Sequence, residues 1–325
     1  MPEAKRDFRI YHGSGEDNHR PAPLVPLFEK PDRFTNPAYY IAGPGLRDAV
    51  NVALLLGQPI LLTGDPGTGK THLAYSLASE LRLPGPFTFH TKTTSSASDL
   101  FYTYDALRHF HSRERPALDF IAFRALGLAI LSAGDPERSN RFLGPSHRID
   151  APRRSVVLID EIDKAPRDLP NDVLDEIENM RFRVPEIDET FEAEQKYRPI
   201  VVLTSNSEKD LPEPFLRRCV YYHILFPSDE ELRRIIANRL PEDTRLTEER
   251  IKQAVASFYE LRKRARKKLP ATAELLAWLQ VLERLDLDPN PEKLGQQERE
   301  LLGVSYSVLF KSKEDLERER ERLRG

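Results

Sequence analysis

Cysteine is almost absent from this sequence, and its scarcity excludes two kinds of structure. Cys219 is the only cysteine among 325 residues, so the chain forms no internal disulfide and no cysteine-rich metal site. A long apolar run is also lacking, because Gln58-Pro59 and Arg124 interrupt the most apolar stretches. The first residues, MPEAKRDFRIYHG, have no apolar core typical of a secretion signal. We therefore expect a soluble, cytoplasmic protein with no membrane partner.

An excess of basic charge is missing as well. Lys and Arg total 49 against 52 Asp and Glu, which gives a net charge of -3. No global positive field would attract nucleic acid, so such a partner is unlikely on composition. The basic run of residues 262–268 could contact phosphates, but a solvated helix end is the favoured interpretation.

Proline is concentrated near the start of the chain. Residues 1–40 carry prolines at positions 21, 23, 26, 31 and 37. Such a density removes backbone donors and favours extended chain over helix or central strand. We predict a tail, or a strap over the domain that follows.

Five short apolar runs predict the strands of one sheet. They are residues 60–62, 87–90, 156–159, 200–204 and 220–226. Helical or mixed segments separate consecutive runs, which favours an α/β domain over residues 41–226 with a largely parallel sheet. Residues 105–134 form an insert whose apolar residues recur at helical spacing, and we predict it to be mainly helical. Those apolar residues are Phe120, Phe123, Leu126 and Ile130.

Helices take over after Phe226. Ser228 and Glu231 have the spacing of a capping box, and further amphipathic runs follow to about residue 310. We predict a small all-helical domain over residues 227–310. The segment 311–325 alternates charge with almost no apolar face, which favours a solvated or partner-docking helix.

One eight-residue stretch matches the phosphate-loop pattern G-x4-G-K-[ST]. A predicted strand precedes it and a predicted helix follows it, so a chance glycine-rich turn is disfavoured. Lys70 is placed to neutralise terminal phosphates, and the Thr71 hydroxyl suits Mg²⁺. The predicted nucleotide-binding residues are Gly64, Asp65, Pro66, Gly67, Thr68, Gly69, Lys70 and Thr71.

An acidic pair ends the predicted strand of residues 156–159. Carboxylates at the carboxyl edge of a buried parallel strand lie in the crevice where α/β sheets bind ligands. We expect Asp160 to hold the hydration shell of Mg²⁺ and Glu161 to orient or deprotonate the attacking water. A solvated strand end is the alternative.

Three motifs in this order, GDPGTGKT, VVLIDEIDKAP and VVLTSN, resemble those of an AAA+ ATPase. The MoxR-like branch fits best, on softer matches: Ser98-Asp99-Leu100 before the insert, and DEIDKAP followed by residues 174–180 and a hairpin near 181–197. The resemblance covers about residues 40–285. It implies a P-loop AAA+ module with a five-stranded sheet of order 5-1-4-3-2, a helical lid, and ATP and Mg²⁺ as cofactors. It also implies a homo-hexameric ring that remodels a protein partner, commonly one with a von Willebrand factor A domain.

The resemblance also assigns residues beyond the loop and the acid pair. Asn206 resembles the sensor that holds the attacking water, with a surface asparagine as the alternative. Arg218, or second Arg217, resembles an arginine finger acting in a neighbouring subunit, with an ordinary surface ion pair as the alternative. Ala273 stands where many relatives have a lid sensor arginine. Lid closure is therefore coupled to the phosphates either weakly or through residues 262–268.

Alternative functions stay open on the sequence. Ala273 supports a nucleotide-gated switch or scaffold with little turnover, and the basic run supports, more weakly, a nucleic-acid motor or loader. The aromatic residues 101–104 follow the second strand, where ring-forming relatives place substrate-facing loops, although packing in the core is the favoured interpretation.

Overall fold

The structure is a computed structural model that describes residue 33 and residues 36–206 and 211–324. The proline-rich segment predicted over residues 1–40 lies largely outside the described residues. The chain divides into two compact units, of which one comprises Tyr40–Phe226. The other contains the residues from Pro227 onward and the described residues up to Tyr39.

The first unit contains a five-stranded parallel sheet and two antiparallel hairpins. Its strands are β1 (Ile60–Gly64), β2 (Phe87–His90), β3 (Tyr102–Tyr104), β4 (Ile121–Phe123), β5 (Val156–Asp160), β6 (Arg181–Val184), β7 (Glu189–Glu192), β8 (Ile200–Thr204) and β9 (Val220–Ile224). Its helices are α1 (Pro44–Leu56), α2 (Lys70–Glu80), α3 (Ala106–His111), α4 (Ala125–Ser132), α5 (Pro136–Ser139), α6 (Leu169–Asp172), α7 (Leu174–Asn179) and α8 (Glu213–Leu216).

The sheet has the order β9-β1-β8-β5-β2. Counting only these five strands along the chain, the order is 5-1-4-3-2, so the predicted P-loop AAA+ architecture is confirmed. The central strands are buried on both faces, as parallel strands covered by helices must be. Alternate residues form two separate cores: Ile60 and Leu62 pack with α1 and α2, whereas Leu61 packs with α4 and the hairpins.

The insert contains α3, α4 and a 3-10 turn at Ala117–Phe120, in line with a mainly helical segment, but it also contains a strand that was not predicted. β3 pairs antiparallel with β4, and only α3 and α4 within residues 105–134 are α-helical. Phe120 lies in a 3-10 turn and Phe123 lies in β4, so their helical spacing was misleading. Phe123 packs edge to face against Phe191 at 5.7 Å between ring centroids, which joins this hairpin to β7.

A second hairpin, β6–β7, occupies the region predicted near residues 181–197. Phe101 stacks on Phe182 of this hairpin at 5.1 Å between centroids. Phe101 and Tyr102 are buried, which supports packing in the core for the first half of residues 101–104. The two hairpins therefore share one aromatic core on the same face of the sheet.

The second unit is all helical in its described residues. Its helices are α9 (Asp229–Arg239), α10 (Glu248–Arg264), α11 (Thr272–Leu285), α12 (Gln296–Ser305) and α13 (Lys313–Arg324). Ser228 and Glu231 form the predicted capping box at the start of α9. Trp278 is fully buried, and its indole N–H donates to Ser305 Oγ at 2.9 Å. No helix within the described ranges is long and apolar enough to cross a membrane.

The charged C-terminal segment forms a helix, but instead of being a solvated or partner-docking helix it packs within its own unit through two buried carboxylates. Asp315 and Glu319 of α13 are 1% and 2% exposed. The Asp315 carboxylate accepts hydrogen bonds from the backbone N–H groups of Arg266 and Lys267, and Glu319 pairs with Arg264 at 3.0 Å. The acidic residues of α13 therefore dock onto the basic run of residues 262–268, an attraction that apolar periodicity does not reveal.

Candidate active site

The phosphate-loop sequence lies between β1 and α2, as its motif requires. Gly64, Gly67 and Gly69 have φ values of 137°, 78° and 91°, which L side chains rarely adopt. A Cβ at Gly64 would lie 2.5 Å from the carbonyl oxygen of Ile224. Glycine at these positions lets the loop turn tightly, so that its backbone continues directly into the start of α2.

Lys70 is buried at the first position of α2. Its ammonium donates to the carbonyl oxygens of Gly64 at 2.7 Å and Asp65 at 3.0 Å. Burial lowers the pKa of Lys70, while the carboxylates of Asp163, Asp65, Asp160 and Glu161 act in the opposite direction. The loop therefore holds a positive charge inside a rim of acidic side chains.

The acidic pair ends β5, beside the first turn of α2. Asp160 Oδ1 accepts a hydrogen bond from Thr71 Oγ1 at 3.0 Å, across 89 positions of sequence. The sheet makes this contact possible, because β8 lies between β1 and β5 and brings their carboxyl ends to one edge. The structure thus brings Thr71 and Asp160 together, and their roles as metal ligands stay predictions.

Thr204, the last residue of β8, contacts both acids of the pair. Its hydroxyl donates to Asp160 Oδ1 at 2.6 Å and accepts from the backbone N–H of Glu161 at 2.9 Å. Thr204 is 1% exposed. It was not predicted as a site residue, although a hydroxyl at the carboxyl end of a buried strand was a usable signal.

Glu161 has a left-handed backbone, with φ of 57°, and begins a short 3-10 turn. Its Oε2 lies 2.5 Å from the ammonium of Lys164. The hydrogen bond to Glu161 raises the pKa of Lys164. His90, which pairs with Asp160 in the sheet register, places Nδ1 3.5 Å from Asp160 Oδ2. Neither Lys164 nor His90 was predicted to belong to this site.

Asn206 follows β8 at the same edge of the sheet. Its backbone N–H donates to Asp163 Oδ1 at 3.3 Å, and the residue is exposed. The sheet order therefore brings Asn206 close to the turn that follows Asp160. Its role as a sensor of the attacking water stays a prediction.

Arg217 and Arg218 lie elsewhere. They precede β9, whose first residue, Val220, pairs with Ile60 at the amino end of β1. The five residues of β1 separate this edge from the phosphate loop by about 13 Å, at about 3.3 Å per residue. Arg218 pairs with Glu178 at 3.0 Å and Arg217 pairs with Glu213. The arginines are thus not part of the acid site in their own chain.

Ala273 belongs to the helical unit, where it is exposed in the first turn of α11. The nearby basic run is occupied within that unit. Arg262 donates to the carbonyl of Pro270, and Lys263 pairs with Glu260 at 2.9 Å.

The residues at the carboxyl edge fit a Mg²⁺-bound nucleoside triphosphate. The loop glycines leave room for an anion against backbone N–H groups, Lys70 supplies a cation, and Thr71 with Asp160 supplies hard oxygen atoms. Within the part of the chain that is described, no three His, Cys, Asp or Glu side chains are grouped to hold a metal ion alone. The pair of Thr71 and Asp160 suits Mg²⁺, which takes its remaining oxygen ligands from phosphates and water.

Residues 59–219, just under half of the chain, match the family described as AAA domain (dynein-related subfamily). No curated protein matches the chain in sequence. Among solved structures, two mutants of RuvB from Thermotoga maritima are similar over 81% of this chain and 67% of theirs, at 17% identity and TM-scores of 0.43 and 0.44. The segment from β1 to the start of β9 is thus similar in sequence to AAA domains.

Proposed function

We propose that this chain is an ATPase that binds ATP with Mg²⁺ at residues 64–71 and hydrolyses it beside Asp160 and Glu161. The observation that carries this proposal is the 3.0 Å hydrogen bond from Thr71 Oγ1 to Asp160 Oδ1. This hydrogen bond links two components: the N-terminus of α2, which presents backbone N–H groups, and a carboxylate at the ligand-binding edge of the sheet. Phosphates and Mg²⁺ need those two components at one point.

The residues divide the work of hydrolysis as follows. When bound, ATP would supply the phosphoanhydride and Mg²⁺ would offset the negative charge that develops as water attacks the γ-phosphorus and ADP leaves with the bridging oxygen. Lys70 adds a fixed positive charge to the loop, while Asp160 and Thr71 would hold the hydrated metal. Glu161 accepts the proton of the attacking water, and the Asn206 amide orients that water.

Substitution of Glu161 tests this assignment. Glu161→Gln keeps the shape of the side chain but removes its basicity, so ATP binding should persist while steady-state hydrolysis falls by about 10²–10⁴-fold, the usual contribution of a general base. Binding is measured by calorimetry and turnover by phosphate release. Hydrolysis at the wild-type rate in Glu161→Gln would exclude Glu161 as the base.

The ATP cycle, we further propose, remodels or assembles a protein partner within a homo-hexameric ring of MoxR-like type. The β3–β4 and β6–β7 hairpins support this branch, because they lie in the two regions on which the softer sequence matches depend. Arg217 and Arg218 support a shared site, because they lie at the edge of the sheet opposite their own loop. A partner with a von Willebrand factor A domain rests on the resemblance alone.

A capture experiment tests the partner. Glu161→Gln held in ATP should retain the partner in a pull-down, because a stalled hydrolase does not complete its cycle. Lys70→Ala, which should not hold nucleotide, is the matched control. Equal recovery of the same proteins by both variants would contradict nucleotide-driven remodelling.

One observation favours a second function, a nucleotide-gated switch with little turnover. One oxygen of the Glu161 carboxylate, Oε2, is engaged by Lys164 at 2.5 Å, so Lys164 competes with water for that oxygen. The lack of an arginine at Ala273 points in the same direction. Appreciable steady-state turnover that is lost in Glu161→Gln would eliminate this alternative.

A further inference from the structure

The hydroxyl of Thr204 is the point at which the two acids of the site are tied together. It lies at the end of β8, between the strand that leads to the phosphate loop and the strand that leads to the acids. Thr204 Oγ1 donates to Asp160 Oδ1 at 2.6 Å and accepts from Glu161 N–H at 2.9 Å. One buried atom thus contacts the side chain of one acid and the backbone of the next.

These two contacts fix the direction of each hydrogen bond. A hydroxyl has a single proton, and the Glu161 N–H can only donate, so the Thr204 proton must go to Asp160. Asp160 Oδ1 then accepts hydrogen bonds from the hydroxyl groups of both Thr204 and Thr71, which orient its carboxylate toward the start of α2. Because Thr204 is 1% exposed, water does not easily replace it.

The second contact restrains the backbone where the chain leaves the sheet. Glu161 has φ of 57°, a conformation that costs a non-glycine residue free energy and persists only when neighbouring contacts impose it. The hydrogen bond from Glu161 N–H to Thr204 is one such contact. This hydrogen bond fixes the position of the Glu161 backbone, and with it the base of the Glu161 side chain, relative to Asp160.

We infer that Thr204 is a positioning residue, which holds the metal-binding carboxylate of Asp160 and the backbone of Glu161 in a fixed relation through one hydroxyl. This inference rests on the proposed ATPase function. Thr204 itself contacts neither water nor phosphate in this role. Its effect passes through Asp160 to the metal and through Glu161 to the attacking water.

The test compares Thr204→Val, which keeps the branched shape but has no hydroxyl, with Thr204→Ser, which keeps the hydroxyl. Thr204→Val should lower kcat and raise the Mg²⁺ concentration for half-maximal ATP binding, each by about 10- to 100-fold, as expected when the support of a metal ligand is lost. Its affinity for ATP measured without Mg²⁺ should not change, because Lys70 and the loop are untouched. Thr204→Ser should stay within about threefold of wild type in both quantities.

Thr88→Val is the matched control, because Thr88 belongs to the same sheet but its hydroxyl contacts only the carbonyl of Pro86, at 3.4 Å. It should leave kcat and the Mg²⁺ dependence unchanged. If Thr204→Val does not fold, as judged by circular dichroism, Thr204→Ala replaces it, since Ala also lacks the hydroxyl and places no methyl group against the Glu161 N–H.

The Mg²⁺ dependence separates failure of this inference from failure of the proposed function. If wild type hydrolyses no ATP, the ATPase proposal is wrong, yet the shift in Mg²⁺-dependent ATP binding still reports on Thr204. A folded Thr204→Val or Thr204→Ala variant with the Mg²⁺ dependence of wild type would overturn the positioning role. So would a Thr204→Ser variant as impaired as Thr204→Val.

Discussion

At the scale of single residues, the ion pair between Glu161 and Lys164 competes with water for one oxygen of the proposed base. The hydrogen bond to Glu161 raises the pKa of Lys164, so the Lys164 ammonium stays charged at neutral pH. Lys164→Met should release the carboxylate and raise kcat by about two- to fivefold, the modest effect of losing an exposed pair. Steady-state phosphate release measures it.

Lys92→Met provides the control for this change, since it removes an exposed positive charge that follows β2 at the same edge of the sheet. It should leave kcat unaltered. A fall in kcat for Lys164→Met would instead mean that Lys164 assists the reaction.

Residues of the site differ in how far the sequence predicts them. The phosphate loop and Asp160-Glu161 follow from spacing, because each lies within one continuous motif next to a strand. Thr204 and Lys164 do not, since their contacts depend on strand register and on the left-handed turn at Glu161. Asp160 and Thr204 are 44 positions apart in the chain and adjacent only in the sheet.

At the scale of elements, Gly127 lets α4 closely approach Phe101, the residue that precedes β3. A Cβ at this position would lie 2.1 Å from the carbonyl oxygen of Phe101, so the helix or the strand would have to move. Gly127→Ala should therefore destabilise the unit by about 1–3 kcal/mol, as overpacking does in a well-packed core. Thermal and urea unfolding measure this loss.

Gly144→Ala is the matched control, because nothing lies within 4 Å of a Cβ built there and φ is -64°. Its stability should equal that of wild type within about 0.5 kcal/mol, the usual range for exposed positions. Equal stability of the two variants would show that α4 moves without cost.

The docking of α13 gives the helical unit an acid-sensitive contact. Burial by itself would raise the pKa of Asp315, but hydrogen bonds from the backbone of Lys267 and Arg266, and from Arg318, outweigh it and lower the pKa to about 2. A carboxyl whose folded pKa is depressed stabilises the fold above its unfolded pKa of about 3.9. That stability is lost as pH falls toward 2.

Asp315→Ala should lower the stability of the helical unit at pH 7 by about 1–3 kcal/mol, because the buried N–H groups lose their acceptor. Its stability should also depend less on pH between 4 and 2 than that of wild type. Urea unfolding at each pH measures both effects. Glu321→Ala, an exposed residue of the same helix, should match wild type.

The insert contains one element, the short strand β4, that was not predicted. Phe120 and Phe123 recur at helical spacing, yet a separation of three residues also fits an irregular turn leading into a short strand. The hairpin exists because β3 provides a pairing edge and the aromatic rings of β6 and β7 provide a core. Local periodicity carries no information about either partner.

At the scale of the whole molecule, the sheet has the strand order that the resemblance to AAA+ proteins implies. Apolar periodicity alone could not predict that order. Apolar runs predicted five strands, but their order depends on which crossovers form. The confirmed order places β1 between β8 and β9, so the phosphate loop has the acids on one side and the strand that follows Arg218 on the other.

The position of Arg218, away from the phosphate loop of its own chain, leads to a prediction about the proposed ring. If Arg218 completes the site of a neighbouring subunit, Arg218→Ala and Lys70→Ala should each abolish hydrolysis alone, since every site then lacks its arginine or its loop lysine. When the two variants are mixed in equal amounts and form head-to-tail rings, about a quarter of the interfaces pair an intact loop from one subunit with an intact arginine from its neighbour. The mixture should recover about that fraction of wild-type turnover, measured after subunit exchange. No recovery in a ring shown to contain both variants would contradict a site completed by Arg218 of a neighbouring subunit. Normal hydrolysis by Arg218→Ala alone would move the role to Arg217, whose Ala variant is mixed in the same way.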